Sequence, residues 1–223
     1  MIASAADIRG IGFTSQRTRD RMVERLVANG ISDHDVLDVF SRVPRHLFVD
    51  DMLQTRAYED VSLPIGEGQT ISRPWVVARM TEILLEEGPV SRVLEVGTGS
   101  GYQAAVLSGL VDAVFSVERI RMLHERARRR FQALEYRNVH TRHSDGGWGW
   151  GSQGPFDGIV VTAAPERVPA PLLEQLAVGG RLVCPVGTRK GRQSLTVITR
   201  TTTGFTERSE SDVTFVPFLT GKS

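Results

Sequence analysis

Val93-Leu94-Glu95-Val96-Gly97-Thr98-Gly99-Ser100-Gly101-Tyr102 decides the reading of this chain: an apolar strand breaks into a glycine-rich turn that opens a helix. Such a turn lets a ligand approach backbone amides at a helix start. A glycine triplet alone is weak evidence, because a tight turn with positive φ needs glycine whether or not a ligand binds. Spacing narrows the choice. Glu95 stands two residues before the first glycine, and a dinucleotide fingerprint would want its third glycine at position 102, which holds Tyr102. A second acid, Glu118, ends the next strand at the place where a carboxylate accepts ribose hydroxyls. Asp145-Gly146 follows the third strand, where an acid and a turn meet an adenine edge.

Outward from this stretch, short apolar runs alternate with helical periodicity, the pattern of a parallel sheet covered on both faces. Strands are expected at Arg92–Val96, Ala113–Glu118, Val139–Ser144, Phe156–Thr162, Arg181–Pro185, Ser194–Thr199 and Ser211–Phe218. Helices are expected at Tyr102–Leu110, Arg121–Leu134 and Pro169–Ala177. In the second of these, Leu123, Ala127, Phe131 and Leu134 share a face, which turns Arg126, Arg128, Arg129 and Arg130 toward solvent. Upstream, Ser15–Asn29 reads as an amphipathic helix stopped by Gly30. Ser32 with Asp35 suggests a capping box for a helix running toward Pro44. Asp50 to Gly68 is Pro- and Gly-rich and reads as a covering loop. Ser72 is placed to cap a third helix with Pro74 in its first turn. The division expected is a helical, substrate-covering segment over 1–90 and a nucleotide-binding domain over 91–223, forming one compact unit of α/β class.

Composition excludes several classes. The chain has 223 residues, 40% hydrophobic and 24% charged, with a net charge of +1, so no basic surface marks nucleic acid as the main partner. No apolar run approaches the ~18 residues of a membrane span, and MIASAADIRG has no secretion-signal core. The single cysteine, Cys184, sits in an apolar strand; a cytoplasmic, reducing location and a monomer are the expectations. His34, His46, His124, His140 and His143 show no metal-ligand spacing, so no metal is expected. Ser100 lies between glycines, but a hydrolase elbow G-x-S-x-G would need glycine in place of Thr98.

E-x-G-x-G-x-G, an acid after the second strand and D-G after the third together resemble the cofactor site of the Rossmann-like methyltransferases. That resemblance implies S-adenosylmethionine as cofactor, a mostly parallel seven-stranded sheet with helices on both faces, and an N-terminal helical extension. It implies cofactor contacts from Glu95, Gly97, Thr98, Gly99, Ser100, Gly101, Tyr102, Glu118, Arg119, Asp145, Gly146 and Thr162, with Glu95 on the methionine portion. More specific are Val43-Pro-Arg-His-Leu-Phe-Val49, Leu63-Pro-Ile-Gly-Glu-Gly-Gln-Thr-Ile-Ser-Arg-Pro74, Ser116–Arg119, Phe156–Pro165, Gly179–Val183 and Phe215-Val-Pro217. Over nearly the whole chain beyond about residue 15 these resemble the protein-L-isoaspartate O-methyltransferases. The G-x-x-x-S-x-P element, Gly68 to Pro74, is the most family-specific piece. The resemblance implies repair of damaged proteins and peptides by methylation of the L-isoaspartyl carboxylate, followed by succinimide formation. Ser72 is then the active-site residue with Thr70 beside it, and Ile71, Pro74, Trp75, Val213, Val216 and Pro217 contact substrate. Arg73 is expected at the rim, because a cation against the reacting carboxylate would stabilise the ground state. A related enzyme acting on one aspartate of a dedicated natural-product peptide is the alternative; such relatives carry extra C-terminal sequence, whereas this chain ends about where the sheet ends.

Overall fold

The computed structural model describes residues 4–188 and 191–223. The chain opens with α1 (Ala5–Arg9), α2 (Gln16–Ala28) and α3 (His34–Arg42). Asp33, not Ser32, caps α3: its carboxylate accepts from the amides of Asp35 and Val36 at 2.9 and 3.0 Å. Ser32 is drawn elsewhere, its N–H donating to Glu82 Oε1 at 2.7 Å, so the Ser32–Asp35 capping box does not form. The expected loop after Asp50 contains a hairpin, β1 (Leu63–Gly66) with β2 (Gln69–Ile71), in which Pro64 faces Thr70 across the pair. It leads directly into α4 (Pro74–Leu85).

Next follow β3 (Arg92–Val96), α5 (Tyr102–Ser108), β4 (Ala113–Glu118), α6 (Arg121–Ala133), β5 (Val139–His143), β6 (Phe156–Val161), α7 (Ala170–Glu174), β7 (Leu176–Gly187), β8 (Gln193–Arg200) and β9 (Phe205–Val213). Among the described residues these strands form a seven-stranded sheet in the order β5-β4-β3-β6-β7-β8-β9. The first five are parallel; β8 runs antiparallel to β7, and β9 runs antiparallel to β8. Alternation along the central strands assigns the two faces. Val93, Val114, Val160, Val183 and Val197 join the core beneath α2 to α6, whereas Leu94, Phe115, Ile159, Leu182 and Ile198 point the other way. That second face is covered by Leu172 and Leu173 of α7 together with Trp150. Because β3 pairs with β4 on one side and β6 on the other, the chain reverses its winding at β3, and a crevice opens beyond the carboxyl ends of these strands.

Two elements differ from the sequence reading. Helix α7 is shorter than Pro169–Ala177, since Leu176 already pairs with Phe156 as the start of β7. The last strand is Phe205–Val213 rather than Ser211–Phe218. As an edge strand, β9 buries little and carries a polar sequence, so it lacks the apolar signature used to find strands. The apolar run after it folds across the sheet end instead: Ala164 N–H donates to Val216 O at 2.8 Å and Phe218 N–H to Ala164 O at 2.9 Å. This carries Phe215 to Leu219 over the crevice.

Candidate active site

The glycine turn is held closed by its neighbours. Gly97 has φ 99°, and a Cβ there would lie 2.4 Å from Thr162 Oγ1. The Thr162 hydroxyl donates to Gly97 O at 2.7 Å, which ties the end of β6 to the turn. Gly101 has φ 90°, with Phe131 Cζ only 2.7 Å from where its Cβ would be. Both positions exclude a side chain on two counts, backbone strain and space. The amide of Gly97 donates to Val117 O at 2.8 Å, and Arg130 Nη1 donates to Ser100 O at 2.5 Å. The arginine run of α6 is therefore not wholly solvated as expected. Arg130 is turned inward and lies 5.4 Å over the Phe48 ring, where burial pulls its pKa down to about 10. Arg126 reaches Ile65 O of the hairpin at 3.2 Å.

Three carboxyl groups were expected at the strand ends, and they differ in surroundings. Glu95 is fully buried; Ser116 donates to its Oε2, and Thr98 Oγ1 lies 2.5 Å from the Ser116 hydroxyl. Its Oε1 has no partner among the described residues, though it is buried beside the cleft. Burial lifts its pKa to about 8, so the carboxyl is mostly protonated at neutral pH. Glu118 instead accepts from two amides, Gly99 N–H at 2.8 Å on Oε2 and Ile120 N–H at 2.9 Å on Oε1. Asp145 does not line the cleft. Its carboxylate is taken up by Gly147 N–H at 2.8 Å and Gly221 N–H at 2.5 Å, and Gly146 alone of the pair reaches the cavity.

Opposite the turn lie Gln69, Thr70, Ile71 and Ser72, completing a cleft with about 940 Å³ of empty space, open solvent at its mouth included. Glu95, the loop from Gly97 to Ser100, Tyr102, Glu118, Arg119 and Thr162 share this lining, as do Val216 and Pro217. Ser72 does not cap α4. The residue before proline is forced into extended backbone, so Arg73 takes the cap position (φ −59°, ψ 147°) without a side-chain bond. Asp60 supplies the acceptor from a distance, taking Trp75 N–H at 2.8 Å. Pro74, Trp75 and Val213 stand outside the cleft. Pro74 is buried as the first residue of α4, Trp75 donates through its indole to Asn29 O at 3.1 Å, and Val213 closes β9. Arg73 turns to Asp60 at 3.5 Å and lies 4.9 Å over the Trp75 ring.

Sequence reasoning assigned no role to Ser116 or Arg45. Ser116 was visible as the one hydroxyl in the otherwise apolar run Ala113–Val117. Arg45 was visible as a cation in an apolar turn, Val43 to Val49. Among the described residues, no group of three or more His, Cys, Asp or Glu is arranged to hold a metal, and no helix is long and apolar enough to cross a membrane.

The sheet order and the strand-end cleft define a Rossmann-like methyltransferase fold. The profile of the protein-L-isoaspartate(D-aspartate) O-methyltransferase family matches residues 17–223, and the chain belongs to that family. It is 60% identical over 213 residues to a protein-L-isoaspartate O-methyltransferase of Halorhodospira halophila, covering 96% of each chain. It is 56% identical over 216 residues to protein-L-isoaspartate O-methyltransferase 1 of Marinobacter nauticus, covering 97% of this chain and 98% of that one. A Plasmodium falciparum structure assigned to the same family, solved in complex with S-adenosyl-L-homocysteine, superposes with a TM-score of 0.79 at 26% identity, over 90% of this chain and 98% of the other.

Proposed function

We propose that this chain transfers the methyl group of S-adenosylmethionine to the free α-carboxylate of L-isoaspartyl residues in damaged proteins and peptides. One observation carries the reading: a single cleft is lined on one side by the glycine turn with Glu95 and Glu118 and on the other by Thr70 to Ser72. The residues fit the cofactor class. The turn brings the backbone of Gly97 to Ser100 to the cleft wall, and Glu95 Oε1, without a partner among the described residues, can take a donor such as an α-amino group. Glu118, already fixed by two amides, keeps lone pairs for ribose hydroxyls. Thr98, Ser100, Arg119, Gly146 and Thr162 complete that side.

S-adenosylmethionine, when bound, supplies a methyl group on a sulfonium that an oxygen nucleophile displaces in line. The carboxylate, with a pKa near ~3.5, is ionised at neutral pH, so no residue needs to remove a proton. The protein's task is alignment and exclusion of water, and alignment can be worth ~7–11 kcal/mol. Ser72 and Thr70 serve it as hydroxyl donors to the carboxylate oxygens, while Val216 and Pro217 close the cleft over the peptide. The ester formed is a better electrophile than the carboxylate. Attack by the following backbone nitrogen expels methanol and gives succinimide, which hydrolyses in part to normal aspartate.

The test is methyl transfer from labelled cofactor to matched peptides containing isoaspartate or aspartate. Labelling of the isoaspartyl peptide alone is expected; equal labelling of both would sink the repair assignment.

A further inference from the structure

Arg45 is fully buried, yet its hydrogen bonds go to carbonyls rather than to carboxylates. Nε donates to Ala57 O at 2.7 Å, Nη2 donates to Ser72 O at 2.6 Å, and Nη1 has no partner among the described residues. The guanidinium also lies 4.6 Å over the ring of Tyr102, the residue that follows the glycine turn and lines the cleft. A buried cation with no carboxylate in hydrogen-bond contact, Asp60 acting on it only through space, is costly, and an apolar side chain of similar volume would pack such a core at least as well. Stability alone therefore does not account for an arginine here.

We infer that Arg45 is a positioning residue for methyl transfer, fixing the Ser72 hydroxyl relative to the cofactor turn by holding the Ser72 carbonyl while stacked on Tyr102. The inference rests on the reading of Ser72 as the hydroxyl that aligns the substrate carboxylate. Its geometry suits the task. Ser72 sits between a short strand and a helix that begins only at Pro74, so its own secondary structure does not hold it. An outside group does: Arg45 grips the carbonyl of Ser72, while Asp60 holds the amide of Trp75 in the first turn of α4. The planar fork of arginine reaches Ala57 O and Ser72 O together while its face rests on the ring, which a single ammonium cannot reproduce.

The experiment compares Arg45→Lys, Ser72→Ala and the double variant for kcat, peptide KM and S-adenosylhomocysteine binding, with Arg45→Met as a second replacement should Lys fail to fold. A displacement of about 1 Å costs roughly 100-fold in rate when alignment dominates. The expected result is a folded Arg45 variant whose kcat falls by roughly 10- to 100-fold while KM and the S-adenosylhomocysteine Kd stay within about twofold. The double variant should then be no slower than Ser72→Ala alone, because both changes remove the same alignment. A parental kcat in a folded Arg45 variant overturns the inference, and so do losses that multiply in the double variant. Loss of S-adenosylhomocysteine binding and cooperative unfolding in both Arg45 variants overturns it as well, since the residue is then structural. If Ser72→Ala itself turns over at the parental rate, it is the reading of Ser72 that fails.

Discussion

Replacing Glu95 by Gln tests the electrostatic state of the site most directly. The carboxyl is fully buried, receives a hydroxyl from Ser116 on one oxygen and has no partner on the other among the described residues. Burial moves its pKa from the ordinary 4.5 to about 8. At pH 7 a group with that pKa is about nine-tenths protonated, and ionising it costs about 1.4 kcal/mol, one pKa unit. An ammonium group brought against Oε1 provides the counter-charge that burial withholds, so binding should expel the proton. Titration calorimetry with S-adenosylhomocysteine at pH 7, in buffers of different ionisation enthalpy, should report net proton release on binding. In Glu95→Gln the buffer dependence should vanish. Stability gives a second readout. Because the folded pKa is raised, the parent protein without cofactor keeps its full contribution from Glu95 below pH 4.5 and loses it as pH rises toward 8. The Gln variant lacks that loss, so the two unfolding curves should diverge toward alkaline pH. Binding heats independent of buffer in the parent, or the same proton release in the variant, would refute the reasoning.

Glu118→Ala should weaken S-adenosylhomocysteine binding by ~1.5–3 kcal/mol, the range for hydrogen bonds to a charged group, and also free the Gly99 and Ile120 amides. Calorimetry measures it, and an unchanged Kd would remove Glu118 from the site. Gly101→Ala places a methyl group 2.7 Å from Phe131 Cζ at φ 90°, and should destabilise the fold by ~1–3 kcal/mol. An unaltered thermal midpoint would mean that Phe131 and the turn yield more easily than their packing indicates.

Sheet and turn were legible because each is written in local pattern. The strands β3, β4 and β6 are continuous apolar runs, since they are covered on both faces, and the glycines stand where positive φ leaves no alternative. Edge strand β9 was not legible, because exposure removes the alternation that marks a strand. Caps were misread for a different reason. Ser32 and Ser72 are both cap-type residues just ahead of a helix, but Glu82 claims the first amide and Pro74 moves the cap position past the second. Those outcomes depend on partners 50 residues away or on a neighbour's backbone restriction, which residue type alone does not report. Asp145 shows the same limit. The acid is where the pattern puts it, and its carboxylate is engaged by Gly221, 76 residues downstream.

The distribution of charge in the cleft bears on why this site suits a carboxylate nucleophile. The reaction brings an anion and a sulfonium together, and both charges disappear in the transition state; a fixed cation near the carboxylate would hold the reactants back more than it helped them. Gln69 to Ser72 and Phe215 to Pro217 contribute no ionisable side chain to the cleft lining. Arg73, the nearest arginine in sequence, is engaged by Asp60 and the Trp75 ring, and Arg45 spends its hydrogen bonds on backbone carbonyls. Glu118 is fixed by two backbone amides, and burial raises the pKa of Glu95. Neutral hydroxyls at Thr70 and Ser72 can then orient a carboxylate without lowering its reactivity as an arginine would. On the proposed reading such an arrangement favours alignment over charge stabilisation, and the reaction rate should follow how firmly Ser72 is held.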